Sequence, residues 1–156
     1  MRKLILIFLL FPTILSAHTL KGKIVKVSDG DTVTLLDSTN TQHKIRLDAI
    51  DAPESGQAFG KRAKQYLSDL IYGKEVIVEY EKKDMYKRIL GTIFYDGLNI
   101  NEEMIRAGYA WRYYYNKSEH LLELQMEAKE MKRGLWQDKH AIDPYQYRKN
   151  KKNKRS

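Results

Sequence analysis

The chain contains no cysteine. That excludes a disulfide framework, thiolate metal sites and a cysteine nucleophile, so the fold must be held by its core or by ligands. Histidine is scarce as well. His18, His43, His120 and His140 lie far apart with no ligand spacing, so each reads as a surface residue and zinc or copper sites are disfavoured. Long apolar runs are missing except at the start, where Leu4 to Leu15 forms a stretch of 12 residues broken only by Pro12 and Thr13. This is well short of the roughly 20 residues that a spanning helix needs. No internal repeat is visible.

Arg2 and Lys3 precede that stretch, and Ser16-Ala17 follows it with small side chains, so residues 1–17 are expected to be a secretory signal peptide. The 139 residues that remain suffice for one domain with a real core. A released product with no stable membrane anchoring, secreted or periplasmic and monomeric, is the corresponding expectation. Positive charge is in excess: the formal net charge is +8 and the isoelectric point is near 9.5, which points to anionic partners. Six of the last nine residues are Lys or Arg, and nothing beyond Tyr147 is apolar. Residues 143–156 therefore read as a basic, disordered tail attracted to polyanions, which leaves 18–142 as the folded domain.

Strand patterns cover Thr19–Val27, Thr32–Leu36, Gln42–Ile50, Glu75–Tyr80 and Ile89–Tyr95, with turn signals at Asp29-Gly30, Asp37 to Asn40 and Asp96-Gly97. Phe59 to Ile71 has helical period, with Phe59, Ala63, Tyr66, Leu67 and Leu70 on one stripe and Gly73 as the stop. A short helix capped by Asn101 ends at Gly108, and a last helix runs from about Ser118 to Lys132 through Leu121, Leu124, Ala128 and Met131. The fold class is α+β with a mainly β core: a small sheet, open or closed into a barrel, with helices packed on it.

Three carboxylates, Asp31, Asp51 and Glu54, fall on short segments next to predicted strands. Oxygen-only ligation favours Ca²⁺ or Mg²⁺. Asp29-Gly30-Asp31 resembles the start of a calcium loop, yet the bidentate glutamate further along is missing, which excludes an EF-hand. A lone Asp-Gly-Asp would be read as a turn. Arg46 on the third strand and Arg88 opening the fifth change that reading, because a guanidinium suits bidentate contact with phosphate oxygens. A divalent cation, two arginines and a free carboxylate are the parts needed for in-line attack of water on a phosphodiester. The aromatic run Tyr109, Trp111, Tyr113, Tyr114, Tyr115 offers rings that could stack on unpaired bases, each stack being worth about 1–3 kcal/mol, or could be buried between barrel and helix.

With these residues in order, the chain resembles the thermonuclease (staphylococcal nuclease-like) family. The motifs are VSDGDTV at 27–33, IRLDAIDAPE at 45–54, Phe59-Gly60 with Ala63, DMYKR at 84–88, Ile100-Asn101 and Gly108-Tyr109-Ala110. The resemblance spans about Leu20 to Trp136. It implies an OB-fold five-stranded β-barrel with about three packed helices and a secreted, Ca²⁺-dependent nuclease. The implied substrates are DNA and RNA, single strands preferred, cut internally and from ends to 3′-phosphorylated products. It also implies roles: Asp31 and Asp51 as calcium carboxylates with the Ala52 carbonyl, Glu54 acting on the attacking water, and Arg46 and Arg88 on the scissile phosphate. Tyr86 is implied at the terminal phosphate or sugar and Tyr114 near the base.

Departures from the family pattern are modest. Ala52 replaces a threonine whose carbonyl alone is used, Lys87 stands where glycine is common, and Met85 stands where a phosphate-binding lysine occurs. The loop between Glu54 and Phe59 is short. Two other readings compete: a non-catalytic nucleic-acid-binding OB module, and a calcium-dependent structural or adhesion domain of the cell envelope. Possession of all five of Asp31, Arg46, Asp51, Glu54 and Arg88 speaks against the first, and the two arginines have no use in the second.

Overall fold

The computed structural model describes residues 18–154, so the expected signal segment lies outside the described residues. Alternation of apolar and polar side chains builds the central element. Five strands carry it: β1 (His18–Asp29), β2 (Thr32–Asp37), β3 (Gln42–Leu47), β5 (Glu75–Lys83) and β6 (Ile89–Tyr95). The pairs β1–β2, β2–β3, β1–β5 and β5–β6 are antiparallel. A parallel pairing of β3 with β6, Ile45 opposite Ile89 through Leu47 opposite Gly91, joins the two ends and closes the sheet into a barrel. The expected α+β, five-stranded barrel class is the one observed.

The strong curvature that closure demands is supplied by β1, which pairs with β5 through its first half and with β2 through its second. Register shifts at Ile24/Lys26 and Val27/Asp29 mark bulges that bend it. The inward residues Ile24, Val33, Leu35, Ile45, Leu47, Val76, Val78 and Ile93 are fully buried. Each such side chain contributes roughly 1.5–3 kcal/mol relative to remaining exposed. Helix α1 (Gly60–Ile71) buries Ala63, Leu67 and Ile71 against this core, with Tyr66 and Leu70 packed beside them. Helices α2 (Ile100–Arg106) and α3 (Glu119–Glu130) add Met104, Ile105, Leu121 and Leu124.

Four local expectations are corrected. The third strand does not run to Ile50: it stops at Leu47, and a separate two-residue strand β4 (Ile50–Asp51) pairs with β8 (Trp111–Arg112). The break comes at Ala49, which adopts φ 63°, directly after the Asp48 N–H makes the last hydrogen bond of the β3–β6 pairing, to the Gly91 carbonyl. Helix α2 is capped by Asn99, whose side chain accepts from the Glu102 N–H, rather than by Asn101. Asn101 is buried instead, where it accepts from the Ile93 N–H and donates to the carbonyls of Asp48 and Gly91. Met131 falls beyond the end of α3 and is exposed.

The fourth correction concerns the C-terminus, which is not a disordered tail over the described residues. Pro144–Asn153 forms a fourth helix, α4, where about three helices were expected. Asp143 accepts from the N–H groups of Tyr145 and Gln146, and Pro144 opens the first turn with its φ already set for helix. Lys151 and Lys152 in the last turn sit favourably against the helix dipole. These local preferences offset the charge repulsion that composition alone emphasises.

Candidate active site

The strand break after Leu47 places the acids. β3 carries Arg46 at the barrel seam opposite Leu90, and the turn at Asp48-Ala49 swings Asp51 into the interior, where it is only 2 % exposed. Asp31 sits in the tight connection between β1 and β2, its backbone carbonyl accepting from the Leu47 N–H at 2.9 Å. Gly30 before it lies directly against the Cβ atoms of Ala52 and Ala63. No side chain fits there, which accounts for the glycine in Asp-Gly-Asp.

Asp31 is almost completely buried. Its Oδ2 accepts from the Ala52 N–H at 2.7 Å and lies 3.1 Å from Arg46 Nη1, and its Oδ1 accepts from the Thr32 hydroxyl at 3.1 Å. Burial pushes its carboxyl up to about 7, against the opposing pull of the Arg46 charge. Arg46 donates from Nη1 to the carbonyls of Leu47 and Ile50, and from Nη2 to Asp51 Oδ1, each at 3.0 Å. These bonds leave two of its five N–H donors, on Nε and Nη2, unused among the described residues. A fork of that kind matches two phosphate oxygens.

Arg88 comes from the turn joining β5 and β6. Asp84 organises that turn, its Oδ1 accepting from the N–H groups of Tyr86 and Arg88 and its Oδ2 from Arg88 Nε at 2.7 Å. Burial works to raise the Asp84 carboxyl, but the hydrogen bonds from Arg88 and Tyr86 outweigh it and hold the group below its ordinary value. Among the described residues the Arg88 guanidinium thus spends only Nε on the protein, with Tyr86 under it at 5.4 Å from the ring centre. Lys87 takes φ 61° in this turn, the left-handed conformation for which glycine is the usual residue.

One cavity of about 550 Å³ gathers these groups: Asp31, Arg46, Asp51, Ala52, Glu54, Tyr86 and Arg88 all line it. Tyr114 does not. Its ring stacks on Tyr145 of α4 at 4.5 Å and 15°, while the neighbouring Tyr113 lines the cavity. Met85, standing where a lysine was the family pattern, also lines it and is largely exposed.

The residue that sequence reasoning missed is Arg148 of α4. Its Nη1 donates to Asp51 Oδ1 at 3.1 Å and to Glu54 Oε1 at 2.8 Å, and its Nη2 donates to Asp51 Oδ2 at 2.7 Å. The signal that could have found this helix is Asp143-Pro144, a cap followed by proline at the first helical position.

Among the described residues, no three Asp, Glu, His or Cys side chains stand in metal-holding geometry, and two guanidinium groups contact the acids. The donor set still fits a hard divalent cation. It is all oxygen, with Asp31 and Asp51 withdrawn from water.

Residues 44–138 match the family model described as staphylococcal nuclease homologue. An uncharacterized endonuclease of Haemophilus influenzae is 43% identical, the match covering 97% of this chain and 88% of that protein. An uncharacterized endonuclease of Escherichia coli is 42% identical over 95% of this chain and 98% of its own length. A micrococcal nuclease of Shigella flexneri is 41% identical over 85% of this chain and 83% of its own. The closed five-stranded barrel, the cavity at its seam and these matches agree, and the chain belongs to the staphylococcal nuclease family.

Proposed function

We propose that this protein is a Ca²⁺-dependent nuclease that hydrolyses phosphodiester bonds of DNA and RNA, preferring single strands, to 3′-phosphorylated products. It is a hydrolase by family, and its endonuclease-named and nuclease-named relatives support a nucleic-acid substrate. The observation that carries the reading is the convergence of Asp31, Arg46, Asp51, Glu54 and Arg88 on one cavity.

Asp31, Asp51 and the Ala52 carbonyl would hold the calcium ion. When bound, the ion supplies positive charge beside the phosphate, lowering the cost of the charge that develops on phosphorus. Arg46 offers its two unused N–H groups and Arg88 its terminal nitrogens to the non-bridging oxygens, and their charge is worth most in the partly dry cavity. Glu54 has a half-exposed carboxylate at the cavity wall, placed to orient a water or take its proton. Tyr86, exposed beside Arg88, would bear on the terminal phosphate or sugar, and Tyr113, more directly than Tyr114, on the base.

The N-terminal apolar segment supports an exported, released protein, and the positive net charge supports its meeting nucleic acid there. Labelled single- and double-stranded DNA and RNA, digested with and without Ca²⁺ and read for end groups, test the reading. Cleavage that requires calcium and leaves 3′-phosphates supports it. Cleavage indifferent to chelation would remove the metal assignment, and binding without cleavage would favour the OB binding module.

A further inference from the structure

In this structure Asp51, one of the two carboxylates assigned to the cation, is already bridged to Glu54 by a cation from the chain itself. Arg148 grips both oxygens of Asp51 and reaches Glu54 in the same span, with all three contacts between 2.7 and 3.1 Å. Charge-assisted bidentate contacts of this kind are the strong class of hydrogen bond. The acids raise the affinity of the guanidinium for its proton further, Asp51 more than Glu54.

Arg148 is held near the site by contacts elsewhere on α4. Tyr147 donates its hydroxyl to the Gly56 carbonyl at 3.1 Å, Tyr145 stacks on Tyr114, and the hydroxyls of Tyr145 and Tyr115 lie 2.9 Å apart. The Arg148 side chain remains 41% exposed, whereas that of Arg46 on the inner side of the same carboxylate is 14% exposed. Arg148 can therefore swing out to water without unpacking the barrel. Coulomb repulsion forces the choice, since a divalent ion among these carboxylates and a guanidinium touching two of them repel strongly at such separations.

We propose that Arg148 is a tethered competitor of the divalent cation, occupying Asp51 and Glu54 in the cation-free protein and withdrawing when the cation is bound. The proposal rests on the calcium reading above. A site that must first shed a built-in cation binds its ion more weakly than the bare carboxylates would, in proportion to the fraction of molecules with Arg148 withdrawn. The helix thereby sets the calcium level at which the site fills.

Calorimetric titration of CaCl₂ into the full chain and into Arg148→Gln, without nucleotide, tests this. The variant should bind calcium at least about tenfold more tightly, because one charge-assisted contact is worth about 1.5–3 kcal/mol. Arg148→Lys, which restores the charge, should move back toward the wild-type affinity. Equal or weaker binding by Arg148→Gln would overturn the competitor role alone. Absence of calcium binding in both chains would overturn the calcium reading and the competitor with it. A readout on the unaltered chain covers the case of a poorly folding variant. Phenylglyoxal should modify Arg148 faster with calcium than without, seen by mass spectrometry of its peptide, and an unchanged rate would refute the withdrawal.

Discussion

Two arginines reach Asp51 from unlike parts of the molecule. Arg46 belongs to the barrel wall: its strand is paired on both sides, and its guanidinium is tied to two backbone carbonyls. Arg148 belongs to an appended helix fixed by one cap and a few tyrosine contacts, and it meets the carboxylate from the open side. The same ionic contact therefore has two meanings. From the wall it is part of the scaffold that positions a buried acid. From α4 it is a counter-ion that can be exchanged.

The comparison predicts that damage to the wall is severe and damage to the appended helix mild. Glu54→Gln, which keeps shape and removes the basic carboxylate, should bind nucleotide yet lose about 10²–10⁴ in turnover. Parallel loss of binding would point to misfolding and not to chemistry. Arg46→Ala and Arg88→Ala should each lower turnover by at least about two orders of magnitude, the size of effect seen when one charge-stabilising donor is removed. Steady-state digestion of single-stranded DNA checks both, and near-normal turnover in either would cancel that arginine's role.

Asn101→Ala should leave three buried backbone groups at the seam without their side-chain partner, at a cost of about 1–3 kcal/mol. Urea unfolding would register it as a lower midpoint with an unchanged slope. Tyr145→Ala removes a ring stack on the exposed side and should cost no more than about 1.5 kcal/mol. If it proved as damaging as Asn101→Ala, α4 would have to be counted as part of the scaffold.

Much of the barrel was legible because period-2 alternation is local. Val76 and Val78 turn inward while Glu75, Ile77 and Glu79 turn outward, as the pattern requires. The acid and arginine cluster was legible because its members are unusual as a set. What was not legible depends on distant partners. Nothing local tells the third strand to break at Ala49, or Asn101 to spend its amide on the seam instead of a helix end. Tyr113 and Tyr114 are chemically equivalent in the sequence, and only the stacking of Tyr145 on one of them separates their positions. The C-terminal helix was hidden by composition, since six basic residues in nine suggest a solvated coil, while the acids that receive Arg148 lie more than ninety residues away.

The parallel pairing of β3 with β6 is one of the two strand pairings that bring distant parts of the chain together, the β1–β5 pairing being the other. The β3–β6 partners are 44 residues apart, Ile45 to Ile89, whereas the β1–β2, β2–β3 and β5–β6 hairpins close over short turns. Loop-closure entropy makes such a long-range contact slow and rewards it only once the flanking hairpins exist. Arg46 sits on that seam, and Arg88 immediately precedes the strand that completes it. A chain whose sheet is still open brings the two arginines together in no conformation the hairpins alone specify, so competence toward phosphate arises at the moment the sheet becomes a ring.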